Sequence, residues 1–150
     1  MKSKLLILFA VLGCFISVQA GIDHLLPRPQ QIAAGSGSFG LNQAVKLTLP
    51  TISGEDPAVG VELTKLITTN GGSVAGGASQ EIEVQLVASV PGAEFQNEAY
   101  NLIVSASKIT VNAKTLQGAY WAVQTLWQLS EGSGSAIPAC TITDWPAFRI

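Results

Sequence analysis

The sequence predicts an α+β fold: a mostly antiparallel β-sheet with two amphipathic helices packed on one face. Three observations predict it. Four segments alternate apolar and polar side chains with period two. Two longer segments place apolar residues three and four positions apart. The order sets runs of adjacent strands beside two amphipathic helices, which argues for the α+β class.

The elements follow in chain order. Leu25-Leu26-Pro27-Arg28-Pro29 opens the domain, and two prolines hold the backbone extended around Arg28. Gln30 to Ala33 and Phe39 to Leu41 flank Gly35-Ser36-Gly37-Ser38, a pattern that predicts a small hairpin. Val45 to Leu49 alternates and stops at Pro50, as a half-buried strand would. Asp56-Pro57 supplies a helix cap and a first-turn proline. Val59, Leu63, Leu66 and Ile67 then share one helical face, and Gly71-Gly72 ends the helix. Gly71 to Ser79 is Gly-rich and predicts a mobile loop.

Ile82, Val84 and Leu86 alternate with Glu81, Glu83 and Gln85, which predicts a strand with one wet face. Pro91-Gly92 turns the chain. Tyr100, Leu102 and Val104, then Ile109 and Val111, predict an antiparallel hairpin joined at Ala106-Ser107. Leu116, Ala119, Tyr120, Val123, Leu126, Trp127 and Leu129 form the apolar face of a long second helix, with Gln117, Gln124 and Gln128 opposite. Gly132-Ser133-Gly134 stops it, and Thr141-Ile142-Thr143 predicts a last short strand.

Residues 1–20 carry Lys2 and Lys4, then an apolar core, then Val18-Gln19-Ala20, the layout of a secretory signal peptide. Cys14 in Val11-Leu12-Gly13-Cys14 loosely matches a lipobox, so a lipid anchor at Cys14 is the competing reading. Either way the chain is expected to be exported, to a periplasm or to the cell surface or medium. Residues 21–143 then form one domain, and residues 144–150 begin a linker. Beyond residue 20 the balance is six basic against ten acidic side chains, a net charge of −4. That surface repels phosphate backbones and argues against nucleic acid as a partner. No later apolar run reaches the length of a membrane span. Cys140 alone remains after cleavage, so no internal disulfide is expected.

No residue set makes a persuasive active site. Gly35-Ser36-Gly37-Ser38-Phe39-Gly40 matches a dinucleotide fingerprint in letters, but no helix follows to hold a pyrophosphate. Glu55-Asp56 is the one adjacent acidic pair, and helix capping explains it. Glu81 and Glu83 share a strand face, where solvation is the default. His24, the single histidine, lacks the partners of a zinc site or a triad. Two indoles stand out. Trp121 falls beside the Gln stripe of the second helix, and Trp145 follows Asp144 near the last residue. Both suit an interdomain docking surface, and stacking on a sugar ring is the rival role.

Several segments, in order, resemble the N-terminal domain of family 20 glycoside hydrolases, the β-N-acetylhexosaminidases. They are Leu26-Pro27-Arg28-Pro29-Gln30-Gln31-Ile32, Gly37-Ser38-Phe39, Ala99-Tyr100-Asn101-Leu102-Ile103-Val104, Gly118 through Leu129, Ile137-Pro138, and Ile142 through Phe148. Exo-acting glucuronidases and O-GlcNAc hydrolases carry a similar domain. The resemblance implies a non-catalytic α+β unit in front of a TIM barrel. There an Asp-Glu pair assists attack by the substrate's own acetamido group, an exception to the usual two-carboxylate scheme. No cofactor or metal is implied. The family's sugar-binding Arg would fall just past Ile150, so Arg149 is not its counterpart, and Glu55-Asp56 has the wrong order and place. The sequence therefore predicts an accessory domain of a secreted β-N-acetylhexosaminidase. Its catalytic residues and barrel, a partner in cis, lie outside these 150 residues. The alternative is a stand-alone glycan-binding or interaction module that docks on a secreted enzyme.

Overall fold

The computed structural model describes residues 21–52 and 58–147. The expected signal peptide, Cys14, Glu55-Asp56-Pro57 and Phe148 to Ile150 lie outside the described residues.

A single 3-10 turn, Ile22–His24, is followed by strands β1 (Gln31–Gly40) and β2 (Ala44–Thr48) and helix α1 (Ala58–Thr69). Strands β3 (Ser73–Val74), β4 (Gln80–Leu86), β5 (Tyr100–Val104) and β6 (Lys108–Ala113) come next, then helix α2 (Leu116–Ser133) and strand β7 (Ala136–Asp144). The strands make one seven-stranded sheet in the order β1-β7-β5-β6-β4-β2-β3. The α+β class holds. The sheet is mixed: β1/β7, β7/β5 and β5/β6 are antiparallel, while β6/β4, β4/β2 and β2/β3 are parallel.

The parallel half arises from the helices. Helix α1 lies in the connection that takes the chain from β2 to its parallel neighbour β4, with β3 added on the far side of β2, and α2 carries the chain from β6 to β7 across β5. Both crossovers leave strands that point the same way, and both step in the same direction across the sheet. A common right hand then puts both helices on one face. There they bury Leu63, Leu66, Ile67, Ala119, Val123, Leu126 and Leu129 against Ile82, Leu102, Ile109, Val111 and Ile142. The buried face of α1 is Val59, Leu63, Leu66 and Ile67, the four residues that the 3.6-residue period selects.

The helix ends obey local chemistry. In α1 the Gly71 N–H donates to the Thr68 carbonyl (3.1 Å) and the Gly72 N–H to the Ile67 carbonyl (3.0 Å). With Gly71 at φ 86°, this is a Schellman closure. The Thr115 hydroxyl caps α2 by accepting the Gly118 N–H at 3.2 Å. Gly118 also lets the helix settle on the Ala99 carbonyl, which a Cβ at that position would strike.

Three local expectations change. The Gly35-to-Ser38 segment is not a hairpin: β1 runs through it, paired with β7. The register breaks between Ala34 and Ser38, so Gly35 to Gly37 stand opposite Ala139 alone. Small residues fit this bulge, and Pro138, which has no N–H to donate, sits beside it. The Gly71-to-Ser79 segment contains β3, in parallel register with β2. Finally, β7 extends well beyond Thr141–Thr143, because Ile137, Ala139 and Cys140 are buried too.

Candidate docking surface

Three segments converge at the end of the sheet where β5 begins and β7 ends. The N-terminal arm from Leu25 to Gln30 lies across α2, and the end of β7 passes alongside. Together they enclose a depression of about 520 Å³. Hydrogen bonds hold the arm in place. The Leu26 N–H donates to Gln128 Oε1 on α2 (2.9 Å), and the Gln30 N–H donates to Asp144 Oδ1 on β7 (3.1 Å). Under the arm, the buried Tyr100 hydroxyl meets Thr125 Oγ1 at 2.6 Å and points to Asp144 Oδ2 at 3.5 Å.

The two indoles singled out from the sequence both line this depression. Trp121, at the helix position beside Gln117, Gln124 and Gln128, is 47% exposed and meets the Tyr120 ring edge-on at 6.0 Å. Trp145 follows β7 and is half-buried. Leu26 adds an almost naked apolar side chain at 77% exposure. Tyr120 and Trp127 border the core, as the apolar face of α2 predicts.

Asp144 is the group that sequence reasoning passed over. Half-burial destabilises its charge and raises its pKa above the usual carboxylate range, although the Gln30 and Trp145 N–H groups and the Tyr100 hydroxyl favour the charge. The available signal was its position between a buried strand and Trp145. Burial, mainly, also raises the pKa of Tyr100. It pushes the Cys140 thiol up to about 11, which disfavours the thiolate.

A second, larger depression of about 790 Å³ lies on the same helical side, between the end of β2 and α1. Leu47, Leu49, Pro50, Ile52, Val61 and Leu116 make it apolar, and Leu49 and Val61 are exposed. His24 lies in the short 3-10 turn, next to Asp23 in the chain. Among the described residues no cluster of His, Cys, Asp and Glu could hold a metal ion, and no helix is long and apolar enough to cross a membrane. The Gly35–Gly40 segment is strand followed by strand, so it lacks the helix N-terminus that a pyrophosphate needs.

The family described as glycosyl hydrolase family 20, domain 2, matches residues 23–145. No curated protein matches the chain in sequence. Solved structures do match in fold. One is the family 20 exo-β-N-acetylglucosaminidase from Vibrio harveyi in complex with N-acetylglucosamine, with TM-score 0.63, 24% identity, 85% of this chain and 20% of that one. The Streptomyces plicatus N-acetyl-β-hexosaminidase gives TM-score 0.62 and 21% identity over 85% of this chain and 27% of that one. The β-N-acetylhexosaminidase from Bacteroides fragilis gives TM-score 0.60 and 23% identity over 82% and 25%. The chain thus spans about a fifth to a quarter of these proteins.

Proposed function

We propose, because this chain belongs to glycosyl hydrolase family 20, domain 2, that it is the non-catalytic accessory domain of an exported β-N-acetylhexosaminidase. Its task is to pack against the catalytic barrel in cis through the helical side of the sheet, with Trp121 and Trp145 in the contact. Residues 1–20 act as the export signal, residues 21–143 are the domain, and residues 144–150 lead toward the barrel. The enzyme works in a periplasm, at the cell surface or in the medium.

One observation carries this reading. Of the seven exposed large hydrophobic side chains among the described residues, Leu26, Leu49, Val61 and Trp121 all border the two depressions on the helical side. Exposed apolar side chains gathered on one side mark an interaction surface. Capture of a glycan by Trp121, Trp145 and the glutamines is the second reading, and the mix of indole and amide groups at the first depression favours it. A turnover assay and a titration test both. The purified 150-residue chain, given an aryl N-acetylglucosaminide, is expected to release no aryl alcohol; turnover would contradict an accessory role. Chitin oligosaccharides are expected not to bind; saturable binding would move the proposal to the glycan module.

A further inference from the structure

We propose that the depression between Trp121 and Trp145 receives an arginine side chain from the docking domain, with its guanidinium seated against the Asp144 carboxylate. This inference rests on the docking reading above and adds the chemistry of the partner.

Asp144 is half-buried and accepts the Gln30 N–H on Oδ1, the Trp145 backbone N–H and one long contact from Tyr100 on Oδ2. Among the described residues no cation lies within ion-pair distance of it. Arg28 borders the same depression but forms no ion pair with Asp144 or with Glu98, the other carboxylate at the rim. A carboxylate drawn out of water without a cation carries an uncompensated cost, and a docking surface would deepen that cost by removing the remaining water. A cation on the incoming surface offsets it.

The surroundings select the kind of cation. Two indoles border the space, and indole faces attract cations, arginine more often than lysine. A guanidinium is planar, weakly hydrated and able to stack while it donates in a fork to a carboxylate. A lysine ammonium could meet the charge but not the two flat surfaces together. A space of about 520 Å³ admits the side chain without moving the arm.

The test uses the 150-residue chain and reads the indole N–H signals of Trp121, Trp127 and Trp145 by NMR. Trp127 is the internal control, because its Nε1 is buried without a hydrogen-bond partner among the described residues. The probe is a blocked Gly-Arg-Gly peptide, compared with the same peptide carrying citrulline, the same peptide carrying lysine, and N-acetylglucosamine. The arginine peptide is expected to shift Trp121 and Trp145 saturably and leave Trp127 unmoved. Citrulline, which keeps the shape and loses the charge, is expected to bind at least about tenfold more weakly. Asp144→Asn is expected to weaken the arginine peptide by a similar factor while the Trp127 signal reports that the fold is intact. If that variant does not fold, the arginine–citrulline comparison on the unaltered chain decides alone. Equal binding of citrulline and arginine, a preference for lysine or for the sugar, or no shift with any probe would overturn the proposal. Failure of the docking reading has a different signature: Trp121 and Trp145 equally accessible with and without a catalytic barrel.

Discussion

The two faces of the sheet treat their polar groups in opposite ways. On the face away from the helices, Glu81 takes Lys46 at 3.0 Å, Lys108 at 3.2 Å and the Thr48 hydroxyl at 2.7 Å, while Glu83 takes the other side of Lys108 at 2.7 Å. Every charge in that cluster is answered within the domain. On the helical side, no cation among the described residues pairs with Asp144, and Leu26, Val61 and Trp121 stand open to water. One face answers its charges with its own groups, and Ile103 is the exposed large hydrophobic of β5 there. The other carries the costs that a second surface would relieve. On the proposed docking reading, the difference separates residues that hold this domain together from residues that serve a second surface.

The sharpest way to break that comparison sets two residues of α2 against each other. Leu126 is fully buried under the helix, and Leu126→Ala is expected to cost ~2–5 kcal/mol of unfolding free energy by urea denaturation. Trp121 is larger, yet Trp121→Ala in the isolated chain is expected to change stability by only about 0.5 kcal/mol. A Trp121 cost as large as the Leu126 cost would make the indole a core residue and remove it from the docking surface.

Next in size is Gly118→Ala. Its new methyl group runs into the Ala99 carbonyl, so α2 must lift from the loop before β5, at a cost of ~1–3 kcal/mol in the same measurement. A neutral outcome would mean that α2 is not seated there.

The two faces should also respond to acid with opposite sign. The Glu81 pKa is lowered to about 2 by the Thr48 hydroxyl, then Lys46 and Lys108. A depressed folded pKa stabilises above the unfolded value near 4.5 and loses that contribution as pH falls toward 2. Asp144 is raised, so its folded form binds a proton more readily than the unfolded chain. Its contribution to stability therefore grows as pH falls through its raised range. Glu81→Gln is expected to flatten the acid side of the stability profile, and Asp144→Asn to remove the opposing term. The same slope change from both variants would contradict the contrast.

Much of the fold was legible because helix and strand periods are local signals. The four buried residues of α1 and the alternation of β4, β5 and β6 needed no tertiary information. What escaped was non-local. Gly35 to Ser38 has turn-forming residues, and only pairing with β7, which lies about a hundred positions later in the chain, makes it strand. The two-residue β3 is too short to carry a period. The parallel half of the sheet follows from crossover geometry, and side-chain alternation looks the same for either strand direction. In the candidate site, Trp121 and Trp145 were visible as indoles out of step with the core pattern. The surroundings of Asp144 were hidden because the Gln30 N–H and the Tyr100 hydroxyl come from the arm and β5.

The most direct test of the central claim is residue-resolved hydroxyl-radical footprinting of Trp121 and Trp145, in this chain alone and in a polypeptide where a family 20 catalytic barrel follows it. Strong labelling of Trp121 is expected in the chain alone, with a fall to the level of buried core residues for both indoles once the barrel is present. Labelling of both residues that is unchanged by the barrel would contradict that claim.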